Sequence, residues 1–368
     1  MSKKSFKLDF YIIVPVIILL IIGVSVLSGV SAIISQEKFG NSTHYLFHQI
    51  TLGIIPGIIL AAVAYFLPLK FLKKLAWILL LANLLAMILV FMPGLGIIAG
   101  GAPRWLKLGP ISFQPSEFLK LSFILYVAAW LSNPMREKEK NFKYTLVPFL
   151  IISAVVGFLF TLQSDVSTLA IILLSSLIIY FTASTPLWHT GLMALATASG
   201  AALLIVTSSY RLMRLKILLG IINDPVGLGY QIKQILIGIG SGGIFGLGLS
   251  MSNQKFGFIP QTMSDSIFAI YSEETGLIGS LFLIALFIFL LLRSFQVAKR
   301  SSDRFSKLFV IGFSSWICIQ AFVNMGAMVE IIPLTGIPLP FLSYGGSHII
   351  TELIGVGILL NVSKNSQK

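Results

Sequence analysis

A polar, glycine-dotted stretch at residues 246–276 contains the side chains best suited to chemistry. It reads GLGLSMSNQKFGFIPQTMSDSIFAIYSEETG and carries Lys255, Asp265, Glu273 and Glu274 next to helix-length apolar runs. An uncompensated charge beside such a run is costly and therefore marks a candidate site. Asp265 would alternatively cap a helix, and the two glutamates would alternatively form a solvated rim. Three acids and a lysine around one apolar entry favour a site for acid–base or ion chemistry.

A second candidate segment is GGAPRWLKLGPISFQPSEFLKL, residues 100–121, which ends by entering a predicted helix. Glu117 lies near the amino terminus of that helix, where an acid suits the helix dipole. Glu117 and Lys120 are three residues apart and would form a same-face pair, either structural or part of a site. Arg104 and Lys107 are candidate anion-binding groups in the same segment.

Two arginines follow the seventh predicted span, on a side that is otherwise poor in positive charge. They are Arg211 and Arg214, directly after Tyr210. A guanidinium binds phosphate oxygens in bidentate fashion, so a lipid phosphate or pyrophosphate would be a natural partner. The alternative is that both arginines simply extend towards lipid headgroups.

The glycine-rich run GIGSGGIFGLG, residues 238–248, superficially resembles a dinucleotide-binding loop. No predicted strand precedes it, as such a loop would require. Close packing of helices through small residues is the better interpretation.

A proline-interrupted segment, IIPLTGIPLPFLSYGGSHIITELIG, occupies residues 331–355. At membrane depth, such a segment must be buried in protein or line a cavity, because its backbone cannot face lipid. Glu352 lies about one turn into the last predicted span. His348 or Thr351 would be its partner, in a site or in a structural hydrogen bond.

The composition sets the elements that must position these residues. Of the 368 residues, 56% are hydrophobic and only 11% are charged, which indicates a polytopic helical membrane protein. About ten apolar windows are long enough to span a bilayer. They lie near residues 11–34, 48–67, 75–93, 116–132, 145–162, 166–184, 188–207, 276–293, 307–326 and 346–362. We expect one all-α transmembrane domain over residues 1–368, with extracytoplasmic loops near 93–115 and 208–275, the latter containing an interfacial or re-entrant helical pair.

The charges are sorted by side. With the amino terminus inside, predicted cytoplasmic segments carry most of the 26 lysines and arginines, which predicts both termini in the cytoplasm. This bias also explains the net charge of +13 without nucleic acid. Acids at or near the outer face are Glu37, Glu117, Asp165, Asp224, Asp265, Glu273, Glu274 and Glu330. The chemistry is therefore predicted to be extracytoplasmic, where a nucleotide cofactor would be in the wrong compartment, and neither GxxxxGK[ST] nor HExxH occurs.

A series of motifs runs in order along the chain. It comprises RWLKLGPISFQPSE, YRLMRLKI, GLGYQ, GSGGIFGLGLSMSNQK, IPQTMSDSIFAIYSEETGLIG, NMGAM and IPLTGIPLPFLSYGGS. Together they resemble the SEDS family of peptidoglycan glycosyltransferases, which includes FtsW, RodA and SpoVE. The first outer loop and the last motif are more similar to FtsW or SpoVE than to RodA. The resemblance implies ten transmembrane helices, a large outer loop between the seventh and eighth, and polymerisation of lipid II.

The resemblance also implies roles for individual residues. Asp265 corresponds to the essential aspartate of the family and becomes the candidate general base or metal-positioning acid. Glu117 and Lys120 correspond to the acid of QPSE and the basic residue after it, and would fix the site geometry, with Glu273 and Glu274 in supporting or structural roles. Candidates for binding substrate or pyrophosphate are Arg104, Arg211, Arg214, Lys255, Ser343 and Tyr344.

Some positions depart from the family pattern. The usual Pro-Glu-Ala-His-Thr-Asp run is Pro260, Gln261, Thr262, Met263, Ser264 and Asp265 here. The usual Gln-Pro-Asp-x-Gly-Thr motif is Gln163, Ser164, Asp165, Val166, Ser167 and Thr168. Glu330 and Glu352 occupy positions expected to be small or neutral. These changes leave Asp265 in place but put the acceptor-binding shell in question.

The implied reaction joins two lipid-linked disaccharides by attack of a sugar hydroxyl on an anomeric carbon, with undecaprenyl pyrophosphate leaving. A stabilised leaving anion needs no second carboxylic acid, so one base and several cations would suffice. A divalent cation, Mg²⁺ or Mn²⁺, on Asp265 and the pyrophosphate is compatible with this chemistry.

Implied partners are a class B penicillin-binding protein, other divisome or elongasome membrane proteins and membrane lipids, in the bacterial cytoplasmic membrane. The alternatives are a lipid II flippase or transporter and a noncatalytic division scaffold.

Overall fold

Helices make up most of the computed structural model, which describes residues 8–99, 101–109, 111–133, 142–183, 185–222, 224, 227–257, 259 and 261–366. Each of the ten apolar windows contains a helix. Within the described residues, eight helices are long and apolar enough to cross a membrane, and Val166–Thr182 is a shorter apolar helix. The helical polytopic fold class is thus confirmed, while the number of crossings stays a prediction.

The elements follow one another in a simple order. The first half contains α1 (Phe10–Phe39), α2 (His44–Gln49), a π-helical turn (Ile50–Ile54), α3 (Ile55–Phe66), α4 (Leu69–Leu89), β1 (Gly96–Ala99), β2 (Ala102–Leu108), β3 (Ile111–Phe113) and α5 (Pro115–Leu131). The second half contains α6 (Phe142–Leu162), α7 (Val166–Thr182), α8 (Leu187–Val206), α9 (Ser209–Leu218), α10 (Leu228–Ser241), a 3₁₀ turn (Gln254–Phe256), α11 (Ile267–Arg300), α12 (Arg304–Met328) and α13 (Gly346–Ser366).

Two helices begin earlier than the hydropathy windows indicated. α4 begins at Leu69 rather than near residue 75, because three lysines in its first turns lower the local hydropathy. α11 begins at Ile267 rather than near residue 276. Its first turns contain Ser272, Glu273 and Glu274, which are polar yet buried against the preceding loop. Both acids therefore belong to the helix and not to the loop before it.

A small antiparallel sheet, β1-β2-β3, was not anticipated from the sequence. It lies between α4 and α5, where the sequence had indicated only a loop with turn residues. β1 pairs with β2 through a bulge between Ile97 and Ile98, and β2 pairs with β3. The sheet holds Arg104 at a fixed position on β2. We call this end of the helix bundle the sheet end.

The two helices between α8 and α11 confirm that the second long loop contains a helical pair, since α9 and α10 are both well-formed. Their position relative to a membrane stays a prediction. After α10, residues 243–248 pack into α11 at Gly276, where φ is +67° and the helix is interrupted. The interruption frees backbone groups, and the backbone N–H groups of Leu247 and Gly248 donate to the carbonyls of Glu273 and Glu274 at 3.0 Å. Close packing through small residues, predicted for the glycine-rich run, is thus confirmed.

Several basic residues lie at the end of the bundle opposite the sheet. Arg293 of α11 contacts Asp9 just before α1, and Arg304 of α12 donates to the carbonyl of Ala183 after α7. Lys364 of α13 lies over the rings that end α3. The predicted separation of charge between the two sides stays a prediction. Lys3, Lys4, Lys7, Arg136, Lys138, Lys140 and Lys368, which shared in that prediction, lie outside the described residues.

Candidate active site

Asp265 lies on a non-helical turn immediately before α11, at the sheet end. The turn is closed by the carbonyl of Gln261, which accepts from the backbone N–H groups of Ser264 and Ser266 at 3.1 and 3.3 Å. Gln261 itself has φ +58°, a left-handed conformation that few side chains adopt. The turn thus replaces a simple helix start and directs Asp265 away from a capping role. Pro260, which the sequence placed before this turn, lies outside the described residues.

The turn is anchored by residues from two other motifs. Asn324 of α12 donates to the carbonyl of Asp265 at 2.7 Å and to the carbonyl of Ile337 at the same distance. The backbone N–H of Tyr344 donates to the carbonyl of Met263 at 2.8 Å, and the Ser343 hydroxyl donates to the carbonyl of Ser264. The NMGAM and SYGGS motifs therefore hold the backbone around Asp265.

The carboxylate of Asp265 is half-buried and faces the proline-containing loop. A Cβ built on Gly336 would lie 3.5 Å from Asp265 Oδ2, so the carboxylate is in contact with that backbone. Burial raises the pKa of Asp265 above its usual range. A hydrogen bond with the Ser264 side chain and the charges of Arg214 and Arg104 lower that pKa in part. Asp265 is thus a carboxylate of enhanced basicity beside two guanidinium groups.

The structure brings together three residues that the sequence had selected separately, namely Asp265, Arg104 and Arg214. Arg104 Nε donates to the carbonyl of Gln163 at 3.2 Å, which fixes the guanidinium over the turn between α6 and α7. Arg214 donates to the carbonyl of Leu334 and to the Tyr210 hydroxyl. Its Nε has no hydrogen-bond partner among the described residues. A guanidinium has five N–H donors, so both arginines retain donors for an anion.

An apolar cavity of about 660 Å³ lies between α7, α11 and α12. Phe268, one turn after Asp265, lines it, as do Ile331 and Ile332 from the proline-containing segment. Other lining residues, such as Leu291 and Phe295, extend along α11 towards the opposite end. The cavity therefore starts near Asp265 and continues along the bundle at helix depth.

Glu117 and Lys120 form the predicted pair, with Lys120 Nζ 2.8 Å from Glu117 Oε2 and both side chains buried. Lys120 also donates to Gln320 Oε1 at 2.9 Å. His348 Nδ1 lies 3.3 Å from Glu117 Oε2, and His348 Nε2 lies 3.3 Å from Glu352 Oε1. Of the two partners considered for Glu352, His348 is the one in contact.

Glu273 and Glu274 are buried, so the solvated-rim alternative is wrong. Glu273 accepts from the Ser241 and Ser252 hydroxyls and from the backbone N–H groups of Asn253 and Gln254. It therefore braces the loop between α10 and α11. This is a structural role for Glu273, in line with its predicted supporting position.

The remaining predicted binding residues occupy different surroundings. Arg211 donates to the carbonyl of Leu204, seven residues earlier in the last turn of α8, at 2.8 Å. Lys255 donates to the carbonyl of Ser250 within its own loop. The Tyr344 hydroxyl contacts His48 Nδ1 at 2.9 Å, and burial beside Tyr45 raises the pKa of Tyr344 to about 12.

Ser343 is fully buried, and its hydroxyl also accepts from the backbone N–H of Leu339 at 2.8 Å. Ser343 and Tyr344 thus contact the backbone near Asp265. Asp165 caps α7 by accepting from the backbone N–H of Thr168. These contacts are structural, and their relation to substrate stays a prediction.

Two neutral residues at the site were missed from the sequence. Gln320 and Asn324, one turn apart on α12, are both fully buried. Gln320 Nε2 donates to the carbonyl of Pro338 at 2.9 Å, beside the Asn324 contact with Ile337. Amides in an otherwise apolar span are costly to bury unpaired, and this was the available signal.

The described residues contain no group of three or more His, Cys, Asp or Glu arranged to hold a metal ion. Asp265 is an acid on which both arginines act electrostatically. Mg²⁺ usually takes one or two carboxylates together with substrate phosphates and water. The residues are thus compatible with a cation shared between Asp265 and a bound pyrophosphate, but they do not form a protein cage.

Known proteins resemble this chain over its whole length. Stage V sporulation protein E of Bacillus subtilis is 35% identical over 372 residues, covering 100% of both chains. The protein named probable peptidoglycan glycosyltransferase FtsW of Coxiella burnetii is 34% identical over 374 residues, again covering 100% of both chains. Relatives with these two names agree with the predicted similarity to FtsW or SpoVE.

Solved structures share the fold. A chain from a peptidoglycan synthase complex superposes with a TM-score of 0.78 at 28% identity, and the rod shape determining protein RodA of Thermus thermophilus with 0.71 at 25% identity. Each covers 99% of both chains. The family model of the FtsW, RodA and SpoVE cell cycle proteins matches residues 10–368. With its motifs, helical fold and relatives in agreement, this chain belongs to the FtsW, RodA and SpoVE family.

Proposed function

We propose that this protein is a peptidoglycan glycosyltransferase that polymerises lipid II, with Asp265 as the general base. The activity class rests on family membership and on the names of the relatives. One observation supports the assignment of the base above all others. Asp265 is a half-buried carboxylate of raised pKa, influenced by the charges of Arg104 and Arg214, at the start of a long apolar cavity.

The arrangement suits a lipid-linked sugar pyrophosphate. A polyprenyl tail would lie in the apolar cavity beside Phe268, with its head group at the sheet end. The free N–H donors of Arg104 and Arg214 would bind the pyrophosphate, since fixed guanidinium groups bind such oxygens well. The reacting sugar would then lie next to Asp265.

The reaction balances with these groups alone. The acceptor's sugar hydroxyl attacks the donor's anomeric carbon, and its proton passes to the Asp265 carboxylate. The bond from that carbon to the pyrophosphate oxygen breaks with inversion, and the arginines stabilise the charge on the leaving pyrophosphate. Binding of the anion also neutralises the arginines that lower the pKa of Asp265, which makes the carboxylate a stronger base at that moment. A divalent cation held by Asp265 and the pyrophosphate would add charge stabilisation to the same step.

The proposal extends to location and partner. The chain is a multi-pass membrane protein, and we place the sheet end at the outer face of the bacterial cytoplasmic membrane. The excess of lysines and arginines in the predicted cytoplasmic segments of the sequence supports this orientation. A structural neighbour comes from a peptidoglycan synthase complex, which supports a class B penicillin-binding protein as partner. Other divisome or elongasome membrane proteins and membrane lipids are further partners.

The test is polymerisation of purified lipid II by the protein together with its partner, read as glycan chains on a gel. We expect Asp265→Asn to lower the rate by at least about 100-fold, since loss of a general base typically costs that much or more. Asp165→Asn is the matched control, because it removes an acid at the same end and asparagine caps a helix equally well. Normal polymerisation by Asp265→Asn would exclude the base assignment, and transport of lipid II without polymerisation by the unmodified protein would favour the flippase alternative.

Folding of the Asp265→Asn variant has a defined expectation. The pKa of Asp265 is raised in the folded state, so its stabilising contribution is present at low pH and lost as pH rises through that pKa. Asparagine does not ionise, so the variant should unfold at the same temperature as the unmodified protein or higher at neutral pH. Thermal unfolding and partner co-purification thus separate loss of catalysis from loss of structure, and they also test the scaffold alternative.

A further inference from the structure

The buried cluster around Glu117 and Lys120 contains a second pair of titratable groups, which the mechanism above does not use. His348 and Glu352 lie one turn apart on α13 and are both buried. His348 Nδ1 is 3.3 Å from Glu117 Oε2. His348 Nε2 is 3.3 Å from Glu352 Oε1 and 3.4 Å from the carbonyl oxygen of Leu339.

The atoms around the ring nitrogens bear on the charge of His348. Lys120 Nζ lies 2.8 Å from the same Glu117 oxygen, so Glu117 is an ionised carboxylate and can only accept hydrogen bonds. His348 Nδ1 faces that acceptor, and His348 Nε2 faces the Leu339 carbonyl, which is always an acceptor. Acceptors facing both ring nitrogens favour a proton on each, which is the imidazolium form of His348. The cluster then contains two cations and two carboxylates and is neutral, as buried charges require.

This pair also holds the loop that contacts the base. We call residues 334–343 the proline loop. Glu352 Oε2 accepts from the backbone N–H of Phe341 at 2.8 Å, and Phe341 has φ +64°, a strained conformation for a bulky residue. With His348 at the carbonyl of Leu339, the pair fixes two backbone groups of the proline loop. Gly336, in the same loop, lies against the Asp265 carboxylate.

We propose that His348, as a buried imidazolium, and Glu352 are positioning residues that hold the proline loop against Asp265. The proposal rests on the proposed function, because the positioned group is the base of that reaction. His348 and Glu352 are buried and contact no open part of the site, so they act through the loop and not on the substrate.

The charge of His348 is tested directly on the wild-type protein. The chain has four histidines, so ¹⁵N labelling of histidine and solid-state NMR give few signals, and the His348→Gln variant identifies the one to follow. We expect that signal to show both ring nitrogens protonated at about pH 8.5, where an ordinary histidine is neutral. A neutral ring at that pH would overturn the assignment, whether or not the protein polymerises lipid II.

The positioning role is tested by kinetics with lipid II. We expect His348→Gln and Glu352→Gln each to lower kcat about 100-fold, the loss expected when a catalytic group is misplaced by about 1 Å. KM should change little, because neither residue touches substrate. In the double variant H348Q/E352Q the cluster is again neutral, and kcat should recover about tenfold relative to either single variant.

Thr351→Val is the matched control for these variants. Thr351 is buried next to Glu352, but its hydroxyl donates only to the carbonyl of Ser347 on the same helix. We expect wild-type kcat for this variant. Wild-type kcat in both single variants would overturn the positioning role, and a double variant worse than both would overturn the charge compensation between His348 and Glu352. Absence of polymerisation by the unmodified protein would instead contradict the proposed function and leave the NMR result to decide the charge of His348.

Discussion

Two arginines from different elements act electrostatically on Asp265, and each arginine is held in place by backbone carbonyls. Arg214 also stacks on Tyr210, with its guanidinium carbon 4.5 Å from the ring centroid. Arg104 has a second contact with the carbonyl of Ser164 at 3.2 Å. Such restraints reduce the entropy that would be lost on binding an anion, and they keep two positive charges near the base before substrate arrives.

The pH dependence of polymerisation should report this electrostatic coupling. The carboxylate must be ionised to accept a proton, so activity should fall as pH is lowered through the raised pKa of Asp265. Arg214 lowers that pKa in the free enzyme, so Arg214→Gln should move the acid limb of the kcat/KM profile, which reports the free enzyme, to higher pH. A shift of about half to one pH unit is expected for loss of one nearby charge.

Lys216→Gln is the control for that shift, because it removes a positive charge from the same helix without acting on Asp265. An unchanged acid limb in the Arg214 variant would mean that Asp265 does not titrate in the profile. KM for lipid II should rise in the Arg214 variant as well, since the guanidinium is proposed to bind pyrophosphate.

Residue identities in the site were predictable from the sequence to a large extent, but their partners were not. Acids and bases beside apolar runs stand out in a composition with so little charge, which is why Asp265, Glu117 and Lys120 could be selected. Gln320 could not, because a neutral amide gives little signal and it lies 200 residues from Lys120 in the chain. Long-range contacts of this kind depend on helix packing, which hydropathy does not specify.

At the scale of elements, spans were predictable because a helix needs only a local apolar window. The β1-β2-β3 sheet was not, since it is short and depends on pairing between strands. The interruption of α11 at Gly276 was also hidden, because a helical periodicity continues through it. Glycines mark such places only when the backbone that approaches them is known.

The contact between residues 243–248 and α11 gives a prediction about one glycine. Gly246 has φ +81°, and a Cβ at this position would lie 2.2 Å from the carbonyl oxygen of Glu274. Gly246→Ala should therefore displace the loop from the interrupted helix and lower the free energy of unfolding by at least about 1–3 kcal/mol, the cost of the left-handed conformation alone. Thermal unfolding in detergent measures this change.

Gly243→Ala separates backbone strain from contact in the same loop. Gly243 also has positive φ, +53°, but nothing lies within 4 Å of its Cβ position. The Gly246 variant should be the less stable of the two. Equal stability of the two variants would show that the close contact with α11 adds nothing to the cost of placing alanine at a positive φ.

At the scale of the whole molecule, polar clusters tie the bundle together at each end. At the sheet end, Asn324, Ser343 and Tyr344 join α12, the turn before α11 and the segment before α13. At the opposite end, Asp9 joins α1 to α11 and α13. Arg293 Nη2 and Nε lie 2.8 and 3.2 Å from the two Asp9 carboxylate oxygens, and the Ser363 hydroxyl donates to the same carboxylate. Asp9 is 3% exposed.

The Asp9 cluster should therefore control stability without controlling catalysis. Arg293→Ala would leave the buried Asp9 carboxylate without its cation, and loss of one partner from a buried pair costs about 3–5 kcal/mol.

Arg300→Ala, which changes an exposed residue at the end of the same helix, is the control and should leave the stability close to that of the unmodified protein. The double variant D9N/R293Q should recover much of the loss, because no unpaired charge remains. Thermal unfolding checks all three, and the polymerisation rate per folded molecule should stay unchanged, since the cluster lies at the end opposite Asp265. An Arg293→Ala variant as stable as Arg300→Ala would show that the bundle does not depend on this pair.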